Sequence, residues 1–277
     1  MKAAQSICNG KFINAGQTCI APDYVLVEQT IKDAFINALQ YVINEWYPNV
    51  DDNNHIRDSY GKIINEHHFN RIMGYLNTDK YSGVVFGGKY DREKFVMYPT
   101  IVSDPSDDHP LMNEEIFGPI LPVKSVSNVE EAMNIINKKP KPLVIYLYTQ
   151  NKSITNDVVN RTSSGSVCVN DCLVQITIPN VPFGGVGLSG INKLNWHDSF
   201  KTFSNRKAVV RRSDKFDIVN RKFLYPPHTK RKAKIMMDII ESTTSTKTII
   251  RIAYISSFIV ASAVLISFGF FIGRINK

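Results

Sequence analysis

The stretch Gly10-Lys-Phe-Ile-Asn-Ala-Gly-Gln-Thr-Cys-Ile-Ala-Pro-Asp-Tyr24 combines a glycine-containing turn, a single cysteine and the start of an apolar strand. Cys19 follows Gly16 closely, and glycine allows the backbone amides of such a turn to approach a ligand. A cysteine placed there is a competent nucleophile once its pKa falls below the free value of about 8.5. A cysteine before a strand is, however, more often a small core residue. The residues of this stretch alone leave both interpretations open.

Strand and helix signals alternate from this stretch up to about residue 200. Residues 23–27 form a near-continuous apolar run, and residues 30–43 carry apolar side chains at helical spacing. Strands that are apolar on both faces belong to sheets covered by helices, so the alternation predicts an α/β fold with a sheet and flanking helices. Further strands are predicted at 84–86, 95–102, 143–148, 167–170 and 172–178, and further helices at 65–76, at 153–160 and from a Ser127-Asn-Val-Glu130 capping box.

The composition is that of a globular protein with one large or two modest domains. Of the 277 residues, 43% are hydrophobic and 21% are charged, which excludes a disordered chain. The 15 glycines and 13 prolines exclude a collagen-like repeat. The four cysteines are too scattered to form a disulfide framework in a chain of this size, so a reducing compartment is expected.

The net charge of +8 hides an uneven distribution of basic residues. Residues 201–251 contain 14 basic and 4 acidic residues, whereas residues 1–200 contain 17 basic and 21 acidic residues. A basic segment directly before a long apolar run indicates anionic lipid headgroups as the partner. No RNA-binding or DNA-binding motif accompanies the basic segment, so no nucleic-acid partner is predicted.

An uncharged apolar run of 21 residues occupies positions 252–272. At 1.5 Å per residue, a helix of this length covers about 30 Å, which is the thickness of a bilayer core. Five residues follow the run and the basic residues precede it, so we predict a tail-anchored membrane protein with its globular part in the cytosol. The expected membrane is the endoplasmic reticulum or the mitochondrial outer membrane. The predicted domains are a globular domain at 1–205, a basic linker and juxtamembrane segment at 206–251 and a transmembrane tail anchor at 252–272.

Three motifs resemble the signatures of one enzyme family. They are Phe12-x-x-x-Gly16-Gln17-x-Cys19, Leu111-Met-Asn-Glu-Glu-Ile-Phe-Gly-Pro-Ile120 and Val181-Pro-Phe-Gly-Gly-Val-Gly-Leu-Ser-Gly190. With weaker matches between them, they cover residues 5–205 and resemble the catalytic domain of the aldehyde dehydrogenases. The form Cys19-Ile-Ala-Pro-Asp-Tyr24 and the apolar C-terminal run are most similar to the membrane-bound fatty aldehyde dehydrogenases of the class 3 type.

The resemblance implies roles for four residues. Cys19 would attack the aldehyde carbonyl to give a thiohemiacetal, and loss of a hydride to NAD or NADP would leave a thioester for water to hydrolyse. The carboxylate of Glu115 would bind the ribose hydroxyls beside the nicotinamide, and the ring of Phe117 would contact the nicotinamide. Phe183 would line the substrate tunnel. The implied substrates are long-chain aldehydes, which partition into lipid, and no metal is implied.

The third motif also contains Gly185-x-Gly187-x-x-Gly190, which fits the dinucleotide-binding pattern literally. That pattern requires a buried strand before the glycines and a helix that begins on them. Two prolines precede these glycines and a poor helix follows them, so we reject a phosphate site here. Other candidates are also rejected: His67 and His68 are adjacent and point to different helix faces, Cys168 and Cys172 have the wrong spacing for zinc, and His109, His197 and His228 have no visible partner.

A full-length aldehyde dehydrogenase carries a dinucleotide-binding domain before its cysteine motif, whereas 18 residues precede Cys19 here. We therefore expect an incomplete NAD(P) site, without its adenine and pyrophosphate part, the glutamate that activates the deacylating water, or the asparagine of the oxyanion hole. Three alternatives stay open. The chain is a truncated enzyme, alone or in a homo- or heterodimer with a full-length relative, or a catalytically inactive membrane-anchored binding partner, or a truncated gene product.

Overall fold

The computed structural model describes residues 1–47, 60–76, 83–211 and 225–244. The chain divides into two units, Met1–Asn205 and Arg206–Lys277. The predicted tail anchor at 252–272 lies outside the described residues. Within the described ranges, no helix is long and apolar enough to cross a membrane.

Strands and helices alternate in the first unit, which confirms the predicted α/β fold. The strands are β1 Val25–Glu28, β2 Val84–Phe86, β3 Tyr90–Asp91, β4 Val96–Met97, β5 Thr100–Ser103, β6 Ile120–Val126, β7 Val144–Leu147 and β8 Ser166–Val169. The helices are α1 Lys2–Phe12, α2 Lys32–Trp46, α3 Glu66–Leu76, α4 Pro110–Asn113, α5 Val129–Lys138, α6 Lys152–Arg161, α7 Val174–Thr177 and α8 Trp196–Thr202, and α9 Lys230–Thr244 belongs to the second unit.

The largest sheet has the strand order β1-β6-β5-β2. β6 pairs in parallel with β1 and β5, and β2 pairs antiparallel with β5. The sequence analysis missed β6, because proline lacks a backbone donor and is rare in central strands. In the structure, Pro122 lies in register with Val102 and most of β6 is buried. The parallel strands bring the carboxyl ends of β1, β5 and β6 to one edge of the sheet.

The main core contains apolar side chains from α1, α2, α3 and the largest sheet. α2 contributes Leu39 and Ile43, and α3 contributes Phe69 and Ile72, all of which are fully buried. The predicted helix at 30–43 begins at Lys32 and extends to Trp46, and α1 was not predicted. A smaller buried cluster consists of Met133 from α5, Ile145 from β7 and Val158 from α6. Strand β7 pairs in parallel with β8.

Two predicted strands differ from the structure. The segment 172–178 is not a strand, because Leu173 adopts a left-handed conformation with φ 65° and a helical turn, α7, follows it. The predicted strand at 95–102 is divided into β4 and β5 on either side of residues 98–99. Apolar composition alone therefore predicted an extended backbone where local dihedral angles interrupt it.

The predicted capping box lies one residue further along the chain than expected. The helix cap of α5 is Asn128, whose side chain accepts a hydrogen bond from the Glu131 N–H at 3.0 Å. Ser127 donates its hydroxyl to the carboxylate of Glu131 at 2.6 Å, and not to that of Glu130. The reciprocal pairing of polar groups is present, but Glu131 provides the carboxylate.

Asp104 joins three elements at the carboxyl edge of the largest sheet. Its Oδ1 accepts hydrogen bonds from the N–H and hydroxyl of Ser125, both at 2.7 Å, and its Oδ2 lies 2.5 Å from Nζ of Lys32. Burial alone would raise the pKa of Asp104, but the bonds from Lys32 and Ser125 lower it to about 2. The ionised carboxylate therefore stabilises the junction of β5, β6 and α2.

We expect Asp104 to make the fold sensitive to acid. Its folded pKa lies below the ordinary value of 3.8, so its contribution to stability is complete above pH 3.8 and is lost as the pH falls towards 2. Because its side chain is 38% exposed, solvent screening reduces this contribution to about 1 kcal/mol. Urea unfolding of Asp104→Asn against wild type should show a difference at pH 6 that shrinks by pH 2.5. Asp157→Asn, at an exposed position of α6, serves as control, and a pH-independent difference for Asp104→Asn would contradict the prediction.

Candidate active site

Cys19 lies on a tight turn between α1 and β1. Asn14, Ala15 and Gly16 have positive φ angles of 52°, 52° and 76° and reverse the chain after α1. A hydrogen bond of 2.9 Å from the Ala21 N–H to the Thr18 carbonyl then closes the turn of residues 18–21. Cys19 is the second residue of this turn and its side chain is exposed. The thiol is therefore accessible to a ligand from solvent.

The side chain of Gln17 holds this strained turn in place. Its Nε2 donates to the carbonyls of Asn14 and Lys62, both at 3.0 Å, and its Oε1 accepts the N–H of Ile64 at 3.0 Å. Asn14 in turn donates Nδ2 to the Gln17 carbonyl at 3.0 Å. Left-handed conformations of residues other than glycine cost about 1 kcal/mol each and persist where surrounding contacts fix them. The Gln17 hydrogen bonds provide such contacts.

The first two sequence motifs touch through their glycines. A Cβ atom on Gly16 would lie 2.3 Å from the carbonyl oxygen of Gly118, and one on Gly118 would lie 2.6 Å from Cδ1 of Ile72. The backbone of the cysteine turn therefore packs directly against the segment 115–119. Gly16 needs glycine because a Cβ there would meet backbone atoms, whereas a Cβ on Gly118 would displace the end of the Ile72 side chain.

The segment 115–119 is held by charged side chains, and two of its residues, Glu115 and Phe117, are exposed. Arg71 donates to the carbonyls of Glu115 at 3.4 Å and Ile116 at 2.9 Å, and Asp23 accepts the Ile116 N–H at 3.0 Å. The side chain of Glu115 is exposed, and Phe117, with φ 46°, is 38% exposed. The segment therefore presents a carboxylate and an aromatic ring on a backbone with little freedom to move.

A buried lysine sets the electrostatics beneath this segment. Lys11 is only 1% exposed, and burial lowers its pKa to about 8 although Asp23 and Glu115 oppose that shift. Burial raises the pKa of Glu115, and so does the charge of Asp23, whereas Arg71 and Lys11 lower it. The pKa of Glu115 is therefore raised overall, and the positive charges of Arg71 and Lys11 limit that rise.

Glu115 and Phe117 fit the nicotinamide end of NAD or NADP. An ionised carboxylate accepts hydrogen bonds from two neighbouring hydroxyls, as a ribose offers, and an exposed ring can contact a flat heterocycle. The glycines of the third motif do not fit the pyrophosphate, because only a short 3-10 turn, Gly187–Ser189, lies among them and no α-helix begins on them.

Phe183 lies at the start of a closed glycine loop. It exchanges two backbone hydrogen bonds with Leu194, at 3.1 and 2.7 Å, and these bonds close the loop of residues 184–193. Nζ of Lys193 donates to the carbonyls of Gly165 at 3.1 Å, Gly185 at 3.2 Å and Gly184. The loop thus directs carbonyl oxygens at an ammonium, whereas a phosphate loop directs amides at an anion. This polarity agrees with the rejection of a phosphate site.

We expect Lys193→Met to loosen the glycine loop. The substitution leaves three carbonyls without their charged donor and should lower stability by about 1–2 kcal/mol. Amide hydrogen exchange of residues 184–192 should accelerate by about tenfold or more in the variant. Lys201→Met is the matched control, because Lys201 makes only a surface pair with Asp198 at 3.6 Å. Equal exchange of this loop in wild type and Lys193→Met would show that the ammonium does not hold it.

Comparison with known proteins identifies the family. A family model described as the aldehyde dehydrogenase family matches residues 1–209. The chain belongs to the aldehyde dehydrogenase family. Among the relatives, aldehyde dehydrogenase family 3 member B1 of Rattus norvegicus is 39% identical over 231 residues, which cover 83% of this chain and 48% of the relative. Family 3 member A2 of Rattus norvegicus is 40% identical over 230 residues, which cover 83% and 46%.

The same likeness appears among solved structures. The substrate-bound state of Staphylococcus aureus AldH has a TM-score of 0.68 at 36% identity, and the match covers 86% of this chain and 50% of that chain. These matches confirm the resemblance to aldehyde dehydrogenases of the class 3 type. Members of the family are oxidoreductases that act on aldehydes with NAD or NADP. The chain spans about half the length of the curated relatives it matches.

In this aldehyde dehydrogenase chain the predicted site residues fall into two groups. Backbone contact brings the turn of Cys19 against the segment of Glu115 and Phe117, whereas Phe183 belongs to the separate glycine loop. The roles of all four residues stay predictions. The sequence analysis missed the supporting residues Gln17 and Arg71, although Gln17 is part of the quoted motif and its fixed position next to Cys19 was a usable signal.

The remaining candidates have structural roles. The rings of His67 and His68 meet edge to face at 5.3 Å, and Cys168 and Cys172 are buried. His109 does have a partner, contrary to expectation, because its Nδ1 accepts the Leu111 N–H at 3.1 Å and caps α4. His197 likewise contacts the ring of Trp196. Among the described residues, no group of three or more histidine, cysteine, aspartate or glutamate side chains could hold a metal ion.

Proposed function

We propose that this chain is the cysteine-bearing part of an aldehyde dehydrogenase that oxidises aldehydes to carboxylic acids with NAD or NADP. The observation that carries the proposal is the contact between Gly16 and Gly118, which joins the exposed turn of Cys19 to the exposed segment of Glu115 and Phe117. A nucleophile and the residues that fit a nicotinamide ribose thereby belong to one surface.

Cys19 performs the covalent step. Its sulfur forms a bond to the carbonyl carbon, the π electron pair moves to the oxygen, and the thiol proton ends on that oxygen. The backbone N–H of Cys19 lies on the same exposed turn and can donate to the developing oxyanion. NAD or NADP, held by Glu115 and Phe117, would supply the hydride acceptor. Loss of the hydride from carbon and of the hydroxyl proton to water would leave a thioester on Cys19, which water hydrolyses to the carboxylic acid and the free thiol. Glu115 and Phe117 hold the nicotinamide end while Cys19 holds the carbon.

The substrates we propose are long-chain aldehydes that reach the chain from a membrane. α9 begins with Lys230, Arg231, Lys232 and Lys234 and continues with Ile235, Met236 and Met237. A basic helix with apolar side chains suits an anionic lipid surface, and the uncharged run at 252–272 follows it. We therefore propose a tail-anchored protein of the endoplasmic reticulum or mitochondrial outer membrane, with its first unit in the cytosol.

Enzymatic oxidation of hexadecanal tests the function. The full chain, purified in detergent, should reduce NAD or NADP with hexadecanal, measured as absorbance at 340 nm, and Cys19→Ser should not. The assay is run alone and with a full-length class 3 relative whose own cysteine at the position of Cys19 is replaced by serine, because we also propose a homo- or heterodimer as the active form. NADH formation by the mixture that disappears with Cys19→Ser supports the dimer. Equal rates for wild type and Cys19→Ser under both conditions would refute the proposed function.

Fractionation of cells tests the membrane proposal separately. The tagged full chain should sediment with membranes and resist extraction by alkaline carbonate, and a variant without residues 252–272 should move to the soluble fraction. Microscopy with organelle markers then decides between the two membranes. A full chain that is soluble would refute the anchor without affecting the proposed chemistry.

A further inference from the structure

The hydroxyl of Tyr146 contacts the cysteine turn from the opposite half of the first unit. Tyr146 belongs to β7, and its hydroxyl donates to the carbonyl of Ile20 at 2.8 Å. Ile20 is the residue directly after Cys19. The same hydroxyl oxygen accepts the N–H of Leu173 at 3.2 Å and Nε2 of Gln175 at 3.1 Å.

The three contacts fix the direction of the Tyr146 proton. A phenolic hydroxyl has one proton and accepts through its oxygen lone pairs, and the N–H groups of Leu173 and Gln175 can only donate to it. The proton is therefore available only to the Ile20 carbonyl. Burial raises the pKa of Tyr146 to about 12, so the hydroxyl keeps this proton throughout the neutral range.

The Ile20 carbonyl belongs to the peptide unit that closes the turn. A peptide unit is planar, so the carbonyl of Ile20 and the N–H of Ala21 turn together. Tyr146 holds the carbonyl end at 2.8 Å, and the Thr18 carbonyl holds the N–H end at 2.9 Å. With both ends bonded, this unit cannot rotate without breaking a hydrogen bond. The peptide unit between Cys19 and Ile20 precedes it directly and is joined to it through Cα of Ile20.

We propose that Tyr146 is a positioning residue for Cys19, which fixes the turn in the orientation that stabilises an aldehyde adduct. The inference rests on the proposed function, because it concerns the same thiol. Gln175 supports the arrangement. It is 6% exposed, its Nε2 donates to Tyr146, and its Oε1 has no hydrogen-bond partner within the described part of the chain. Tyr146 acts on the turn and does not touch the substrate.

The decisive comparison is between Tyr146→Phe and Tyr148→Phe. Tyr148 lies two residues further along and is also partly buried, but its hydroxyl contacts Ser6 at 2.8 Å and Cys172 at 3.0 Å, not the cysteine turn. Two properties of the full chain are measured. The first is hydrogen exchange of the peptide 17–22. The second is alkylation of Cys19 by iodoacetamide, without and with hexanal, which protects the thiol as a hemithioacetal.

We expect Tyr146→Phe to accelerate hydrogen exchange of the peptide 17–22. The hexanal concentration that halves the alkylation rate of Cys19 should rise by about tenfold, which is near the upper limit for the loss of one hydrogen bond. Its alkylation rate without hexanal should stay within about twofold of wild type, because the thiol is already exposed. Tyr148→Phe should leave all three quantities within about twofold of wild type. Gln175→Leu removes one of the two N–H donors and should shift exchange and hexanal protection in the same direction by about threefold. It provides the test if Tyr146→Phe does not fold.

Three results separate this inference from the proposed function. Unchanged exchange of the peptide 17–22 in Tyr146→Phe overturns the positioning role, whatever hexanal does. Equal changes in alkylation rate and in hexanal protection also overturn it, because a general loosening of the fold would move both. Faster exchange in Tyr146→Phe, with no protection of Cys19 by hexanal even in wild type, shows that Tyr146 holds the turn but refutes the proposed function and, with it, the stabilisation of an aldehyde adduct.

Discussion

Replacing Gly16 by alanine should lower the free energy of unfolding by about 3 kcal/mol. The new Cβ would lie 2.3 Å from the carbonyl oxygen of Gly118 and 2.6 Å from its carbonyl carbon, so backbone atoms would have to move. The φ angle of 76° adds a cost of about 1–2 kcal/mol for any residue with a Cβ, and forced overpacking adds about 1–3 kcal/mol. Urea unfolding followed by tryptophan fluorescence measures the loss.

Gly74→Ala is the matched control for this prediction. Gly74 lies in α3, and a Cβ atom there would meet nothing within 4 Å. Alanine favours the helix by about 0.5–1 kcal/mol over glycine, so this variant should be more stable than wild type. The same chemical change therefore has opposite signs at the two positions. If the free energy of unfolding of Gly16→Ala lies within about 0.5 kcal/mol of that of wild type, the backbones of Gly16 and Gly118 are not in close contact.

Local patterns predicted the parts of the fold that local interactions determine. The apolar run at 23–27 contains most of β1, and the helical spacing at 30–43 contains most of α2. The sequence analysis did not predict β6, because a proline such as Pro122 is unfavourable in a central strand. Only the pairing of β6 with β1 and β5 shows that this central strand contains the proline. The strand predicted at 172–178 was wrong for the opposite reason. Its apolar residues are typical of a strand, but the left-handed conformation of Leu173 ends the extended backbone.

Residues of the candidate site that belong to a sequence motif could be predicted. Contacts between residues far apart in the sequence, which position those residues, could not. Cys19, Glu115 and Phe117 were named from motifs. The bond from Tyr146 to the Ile20 carbonyl joins residues 126 positions apart, and the bond from Asp23 to the Ile116 N–H joins residues 93 positions apart. Neither pairing produces a pattern of fixed spacing that can be recognised in a single sequence. Such contacts follow from how two sheets pack, which only the folded chain shows.

Cys19→Ser should abolish nearly all labelling of the folded chain by iodoacetamide at pH 7.5. The other three thiols, Cys8, Cys168 and Cys172, are buried, whereas Cys19 is exposed. Burial raises the pKa of Cys8 to about 12 and that of Cys172 to about 11, and it also raises the pKa of Cys168. At pH 7.5, less than about one in a thousand of the Cys8 and Cys172 thiols is a thiolate, and the thiolate is the reactive form. Mass spectrometry should show labelling reduced by more than about tenfold.

Cys168→Ser is the control, because it also removes one thiol but leaves the exposed thiol of Cys19 in place. Cys168 is buried and burial raises its pKa, so its removal should leave labelling of the folded chain unchanged. In urea, all remaining thiols of either variant should react, because unfolding removes the burial that suppresses them. Folded Cys19→Ser that still labels like wild type would place the reactive thiol elsewhere. Cys19 would then be excluded as the nucleophile, and the proposed oxidation of aldehydes would lose the residue that performs it.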